Sequence, residues 1–255
     1  MANRIAIISD IHGNAQALAA VLSDIEKNDI DSVICLGDVA TFGPSPCETI
    51  QMIQTFNVSC VMGNHEEALL DPERASDYAI DGEALQNSVY WCLNKLNEKD
   101  VSFIRSFKKT LHVALNDEMK MLCYHGSPNS TTGSILPSST PEEIDSLINV
   151  SQSTKIAIGG HTHFQMYRKH RDTIILNSGS VGCAFLNPSV SPPVPSYLPV
   201  AEYVIVESRK KNISVELKSI EFDFLKFQRL ILESDIPLKG WWEGEFDRIN
   251  RDMNH

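Results

Sequence analysis

Ile5-Ala6-Ile7-Ile8-Ser9-Asp10-Ile11-His12-Gly13-Asn14 is the stretch on which the fold turns. Residues 5–8 form an unbroken apolar run and read as a buried strand. The run stops at a carboxylate and an imidazole two residues apart, followed by a glycine. Beyond it Leu18, Val21, Leu22 and Ile25 recur on one helical face, with Asp24, Glu26 and Lys27 off that face. A strand, a polar tip and a helix therefore follow one another. Asp10 and His12 fall just past the carboxyl end of the first strand, where open α/β sheets bind their ligands. Oxygen and imidazole nitrogen donors together suit Zn, Mn or Fe better than Ca or Mg.

The same pattern recurs twice. Residues 31–36 read as a second strand ending at Gly37-Asp38. Gly43-Pro44-Ser45-Pro46 is a turn, and Ser45 is expected to cap a helix running to about residue 56. Pro46 takes the first helical position and Glu48 the capping-box position. Residues 58–62 read as a third strand ending at Gly63-Asn64-His65. Right-handed crossovers make these three strands parallel neighbours with their tips on one edge. Asp10, His12, Asp38, Asn64 and His65 are thereby delivered to one place.

Farther along, residues 65–107 are mainly helical, with Leu85, Val89, Trp91, Cys92 and Leu96 as core candidates. Residues 110–115 and 120–124 read as a strand pair turning at Asn116-Asp117 and ending at His125-Gly126-Ser127-Pro128. A helix over 141–150 is capped by Thr140, with Glu143 completing a capping box. Residues 155–158 form another apolar strand, ending at Gly159-Gly160-His161-Thr162-His163. A hairpin over 165–170 and 173–176 leads to Asn177-Ser178-Gly179-Ser180. Residues 187–199 are Pro/Ser-rich without periodicity and read as a surface loop. Residues 200–207 and 213–220 alternate like antiparallel strands, and 222–233 is an amphipathic helix. From Asp235 onward the chain is polar, with Trp241 and Trp242 adjacent. These two could stack on a base or cover a cleft. Packing of a terminal helix is the favoured expectation, because neighbouring aromatics point different ways and most aromatic area goes into cores.

A chain of 255 residues suits one large domain or one domain with an appendage. The expected division is a domain over 1–220 and a helical extension over 221–255 packed on it. Hydrophobic content of 42% and charged content of 22% are those of a globular protein. No run of 18 apolar residues is present, so no membrane span is expected. The first residues lead straight into a strand, leaving no room for a signal peptide. The six cysteines are scattered singly without a CxxC pair. Cys35, Cys60 and Cys123 lie in apolar runs, which points to buried free thiols and a cytoplasmic location. A net charge of −11 argues against non-specific nucleic-acid binding, which needs a basic stripe. It suits an anionic substrate only if bound cations reverse the local sign.

Five of the eight histidines (His12, His65, His125, His161 and His163) stand at strand ends. His112, His170 and His255 do not, and read as ordinary polar residues. Singly, each site candidate has a bland alternative. Asp10 could cap a helix and Asn64 could serve a turn. Asn14 could begin a helix or line the site. Ser9 and Ser127 lack a G-x-S-x-G elbow and read as structural serines. Caps do not require five histidines at strand tips. The set suits a two-metal site, in which cations about 3.5–4 Å apart share a carboxylate. Asp38, on the middle tip of the first three, is the natural bridge.

Together these motifs resemble the calcineurin-like metallophosphoesterases. D-x-H (Asp10, His12), G-D (Gly37-Asp38), G-N-H-E (Gly63 to Glu66), a strand-end histidine (His125) and G-H-x-H (Gly160 to His163) occur in the family's order over residues 4 to about 180. The likeness is nearest to the small bacterial and archaeal branch of YfcE-like phosphodiesterases. It implies an α/β fold, a four-layer sandwich of two mixed β-sheets flanked by helices. It further implies that Asp10, His12 and His163 hold one divalent metal, Asn64, His125 and His161 a second, and that Asp38 bridges them. His65 would contact the phosphate and protonate the leaving group or stabilise its charge. Manganese, iron, zinc or nickel would serve as the two ions. The implied activity is hydrolysis of small phosphodiesters or nucleotides by a metal-bridging hydroxide. Phosphomonoesters and dinucleotide polyphosphates are the alternatives, and a non-catalytic scaffold or a nuclease of the same fold ranks lower. The implied partner is a small phosphoester; neither membrane nor nucleic acid is expected, and a homo-oligomer is left open. Protein phosphatases of the superfamily carry G-D-x-x-D-R-G. Here Asp38-Val39-Ala40-Thr41-Phe42-Gly43 lacks that arginine and its neighbouring aspartate. This argues against a phosphoprotein substrate and weakens a diadenosine tetraphosphatase reading.

Overall fold

The computed structural model describes residues 3–188 and 196–252. Two mixed five-stranded sheets pack together, with helices outside them. In the first sheet β1 (Asn3–Ile8) runs parallel to β2 (Ser32–Cys35), which runs parallel to β3 (Ser59–Cys60). The second sheet starts with the antiparallel pair β4 (Leu111–Ala114) and β5 (Lys120–Cys123). Parallel to β5 lies β6 (Thr154–Gly159), and the hairpin of β7 (Met166–His170) and β8 (Thr173–Asn177) joins β6 through β8. The antiparallel pair β9 (Ala201–Arg209) and β10 (Asn212–Ile220) returns to the first sheet, where β9 flanks β1.

The two-residue period of β1 explains its unbroken apolar run. Ile5 and Ile7 enter the core between the sheets, with Ile34, Met121, Ile156 and Ile158. Ala6 and Ile8 enter the opposite core, under the helices. A strand buried on both faces has no reason to alternate with polar residues.

Helix α1 (Ala15–Glu26) buries Leu18, Val21, Leu22 and Ile25, as its spacing predicts. Asn14 caps it, accepting from the Ala17 N–H at 3.0 Å. Helix α2 (Pro46–Thr55) starts where expected, but Ser45 makes no side-chain cap bond. Its backbone N–H is drawn instead to Gly13 O at 2.9 Å, tying this turn to the first strand tip. The 65–107 region holds α3 (Asn64–Leu70), a 3-10 helix (Pro72–Tyr78), α4 (Glu83–Lys95) and α5 (Glu98–Arg105). Helix α6 (Pro141–Leu147) carries the expected capping box, Glu143 N–H to Thr140 Oγ1 at 3.2 Å and Thr140 N–H to Glu143 Oε2 at 2.7 Å.

The C-terminal segment is helical beyond the predicted α7 (Phe224–Glu233), because the polar stretch forms α8 (Lys239–Asp252). Phe227, Ile231, Trp242, Phe246 and Ile249 form an aromatic cluster with Phe185 and Tyr197 of the body. Residues 189–195 of the expected 187–199 loop, and His255, lie outside the described residues. Tyr197 is not on the surface: it is buried against Trp242. Among the described residues no helix is long and apolar enough to cross a membrane. All six thiols are free, and only Cys47 is exposed.

Candidate functional site

The strand tips are zipped together by their backbones before any side chain meets. Asp10 N–H donates to Gly37 O (3.0 Å), His12 N–H to Asp38 O (2.8 Å) and Gly13 N–H to Val39 O (2.9 Å). Asp10, His12, Asp38, His161 and His163 all have left-handed backbones, with φ between 48° and 65°. Such conformations cost about 1–3 kcal/mol each in a non-glycine residue, and persist only where surroundings enforce them. Two motif glycines make room for the carboxylates. A Cβ on Gly63 would lie 2.1 Å from Asp38 Oδ1, and one on Gly160 would lie 2.5 Å from Asp10 Oδ2.

All seven expected ligands converge. His163 Nε2 lies 3.0 Å from His12 Nε2 and 3.3 Å from Asp10 Oδ1. Asn64 Oδ1 lies 2.9 Å from His125 Nε2 and 3.1 Å from His161 Nδ1. Between the two groups stands Asp38 Oδ2, 3.8 Å from His12 Nε2 and 3.3 Å from His125 Nε2. Three overlapping sets bring candidate ligand atoms within 4.8 Å of one another: Asp10, His12 and His163; Asp10, Asp38 and His125; and His12, Asp38 and His65.

The residues fit divalent cations. His125 Nδ1 is 2.7 Å from Leu36 O, and His163 Nδ1 is 2.7 Å from Cys183 O. A carbonyl only accepts, so both Nδ1 atoms carry hydrogen and turn Nε2 toward the cluster, as in metal-bound histidines. Asp10 Oδ1 is buried without a well-formed hydrogen bond. Burial pushes the Asp38 carboxyl up, but His125 and His65 outweigh it and hold it well below the usual range. Burial lowers His161 to about 4 and drives His12 well down, with His163 and His65 adding to the latter. Ionised carboxylates and neutral imidazoles are the donor states a cation requires. Burial lowers His125 too, but Asp38 overrides it and raises the imidazole to about 10. A cation there would displace that proton.

Two supporting residues were not singled out from sequence. Glu66 is fully buried; its Oε2 accepts from Asp38 N–H (2.7 Å) and Gly63 N–H (3.0 Å), its Oε1 from Val39 N–H (2.7 Å). It clamps the second tip to the third, and its place three residues after Gly63 was the available signal. Thr41 Oγ1 lies 2.7 Å from His65 Nδ1. Asn14 takes its structural alternative, donating to Gly182 O while capping α1. Ser127 is tied into a local turn with Ser130. His112 is exposed and His170 bonds Asp145, both away from the cluster.

A cavity of about 480 Å³ opens on the cluster, with His12, Asp38, Asn64, His65, His161 and His163 along one side. Phe42, Phe185 and Trp241 line the other. A second, hydroxyl-rich cavity of about 420 Å³ lies beyond His125.

The calcineurin-like phosphoesterase superfamily domain matches residues 4–191. The chain belongs to that superfamily. Every strand tip of the cluster lies inside the matched phosphoesterase domain, whereas α8 lies beyond it. An uncharacterised protein of Methanocaldococcus jannaschii is 27% identical over 247 residues, covering 94% of this chain and 96% of its own. A metallophosphoesterase from Sphaerobacter thermophilus shares the fold, with a TM-score of 0.66, 22% identity and coverage of 90% of this chain and 93% of its own. So does a hypothetical protein from Pyrococcus horikoshii OT3, with a TM-score of 0.71, 17% identity and coverage of 92% and 96%.

Proposed function

We propose that this protein is a dinuclear-metal phosphodiesterase acting on small phosphoesters. The observation that supports it is a single carboxylate oxygen, Asp38 Oδ2, placed between His12 Nε2 at 3.8 Å and His125 Nε2 at 3.3 Å. Asp10, His12 and His163 would hold one cation and Asn64, His125 and His161 the other, with Asp38 shared. Bound manganese, iron, zinc or nickel would supply Lewis acidity and an activated water.

The chain's own residues do the rest. Glu66 holds the Asp38 backbone in its left-handed conformation. His65 lines the cavity and is tethered through Nδ1 to Thr41. With Thr41 donating to Nδ1, Nε2 keeps its hydrogen and can deliver it to a leaving oxygen. Among the described residues no Lys or Arg lines this cavity, so a singly charged diester suits it better than a polyphosphate. Five buried thiols fit a reducing, cytoplasmic setting.

The test uses chelator-stripped protein reconstituted with manganese, on bis-p-nitrophenyl phosphate and p-nitrophenyl phosphate. Metal-restored preference for the diester is expected. Preference for the monoester would make the protein a phosphomonoesterase, and no hydrolysis with two metals bound would refute catalysis. His65→Ala should keep both metals, counted by elemental analysis, and lose about 10²–10⁴-fold in turnover. Loss of a metal would instead make His65 a ligand.

A further inference from the structure

The cavity is chemically two-sided, and the proposed phosphodiesterase uses only one side. The far wall is aromatic. Phe185 stacks on His163 at 4.9 Å between centroids and 14° between planes. Phe42 stands 5.3 Å from the His12 ring, and its edge meets Trp241 at 5.2 Å and 67°. Trp241 is only partly buried, whereas its neighbour Trp242 is wholly buried. The two indoles meet at 76°, so one faces the core and the other the cavity.

This wall is held rigidly. Phe42 has φ of 81°, a conformation a bulky residue adopts only under constraint. The constraint is visible: Trp242 Nε1–H donates to Phe42 O at 3.0 Å. Trp242 is packed in turn between Phe227 at 5.0 Å and Phe246 at 5.8 Å. Helix α8 thus pins one ring of the wall and contributes another. A preformed aromatic surface binds a flat apolar group without further ordering cost. Among the described residues no Lys or Arg stands in this lining to reward a second phosphate.

We propose that the site takes phosphodiesters whose non-leaving substituent carries a flat aromatic group, a nucleobase or an aryl ring, and that Trp241 of α8 is the residue that selects them. The ring lies against Trp241, Phe42 and Phe185 while the phosphate sits at the Asp38 cluster. This rests on the phosphodiesterase reading for its substrate chemistry but not for its binding surface.

The experiment compares three substrates sharing one leaving group: bis-p-nitrophenyl phosphate, thymidine 5′-(p-nitrophenyl phosphate) and methyl p-nitrophenyl phosphate. Manganese-loaded protein should show kcat/KM about 5- to 150-fold higher for the two diesters with a second aromatic group, on the non-leaving side, than for the methyl ester, since stacking on an aromatic side chain is worth about 1–3 kcal/mol. Trp241→Ala should collapse that ratio toward one, and Trp241→Phe should restore most of it. An unchanged ratio in Trp241→Ala overturns the proposal. Calorimetric binding of adenosine monophosphate gives a second readout independent of turnover. Trp241→Ala should weaken it about tenfold. Unweakened binding overturns the aromatic subsite, whereas weakened binding with no hydrolysis of any diester would retain the subsite and reject the phosphodiesterase reading.

Discussion

Replacing Trp242 by Phe measures how firmly the C-terminal helix is tied to the phosphoesterase domain. Trp242 is fully buried, and its indole N–H holds Phe42 O at 3.0 Å. Phenylalanine keeps the ring contacts with Phe227, Phe246 and Tyr197 but deletes that bond, at about 1 kcal/mol. It also leaves a void on the order of 40 Å³, costing roughly 1 kcal/mol at about 24 cal/mol per Å³. The sum is about 2 kcal/mol, which for a chain of this size lowers Tm by about 4–8 °C. Differential scanning calorimetry in the presence of a chelator reads the shift without a contribution from bound metal. A fall of less than about 1 °C would show that the bond to Phe42 carries no stability and would remove the clamp from the reasoning. Two separated transitions in the wild-type protein would show that α8 melts independently of the body. Trp242→Ala sets the upper mark, with an expected loss of about 3–5 kcal/mol.

Glu66→Gln tests whether the buried clamp positions Asp38. The amide cannot accept from Val39, Asp38 and Gly63 at once, because its NH₂ side must face one of these donors. Manganese affinity measured by calorimetric titration should fall about 10–100-fold, and an unchanged affinity would remove Glu66 from the supporting structure. Glu202→Gln tests a partly buried carboxyl in β9, the strand between β1 and β10. Burial raises Glu202 from 4.5 to about 7, and its Oε2 has no hydrogen-bond partner among the described residues. The folded pKa exceeds the unfolded one, so the folded state binds the proton more tightly. Stability is therefore complete below about pH 4.5 and is lost as pH rises through about 7, by roughly 3 kcal/mol in all. In chelator the variant should lose less Tm than the wild type between pH 5 and 8; parallel pH profiles would refute the assignment.

The candidate metal-ligand cluster was legible as a cluster because its residues have few other reasons to be there. The run from Ile5 to Ile8 marks a strand buried on both faces, and carboxylates and imidazoles at such strand ends do not serve packing. Crossover handedness then places the tips together, and the structure brings all seven expected ligands within a few ångströms. Thr140 and Glu143 were legible for a similar reason, since a capping box is a local contact between near neighbours. Ser45 was not, because its main chain answers to Gly13, a residue far away in sequence. Glu66 stood in the G-N-H-E motif, but its role was not legible, because its partners are backbone N–H groups, which every residue has.

The aromatic end of the site was the least legible part, and the cause is general. Phe, Trp and Leu are core residues by default, so an aromatic that lines a cavity looks the same in sequence as one that fills a core. Adjacency in a helix does carry information, because two neighbouring side chains cannot both face inward. It establishes that one of Trp241 and Trp242 must turn away from the core without saying toward what. The answer depends on Phe42, some 200 residues earlier, whose carbonyl holds Trp242 and whose ring meets Trp241. Phe42 in turn occupies the segment where the superfamily's protein phosphatases have an arginine, and its positive φ is tolerated beside the Trp242 bond. The aromatic residue at that point and the aromatic helix beyond the superfamily domain are thus joined by a hydrogen bond and a ring contact. Under the proposed function, Phe42 and Trp241 would grip what the phosphate is attached to by apolar contact rather than by charge.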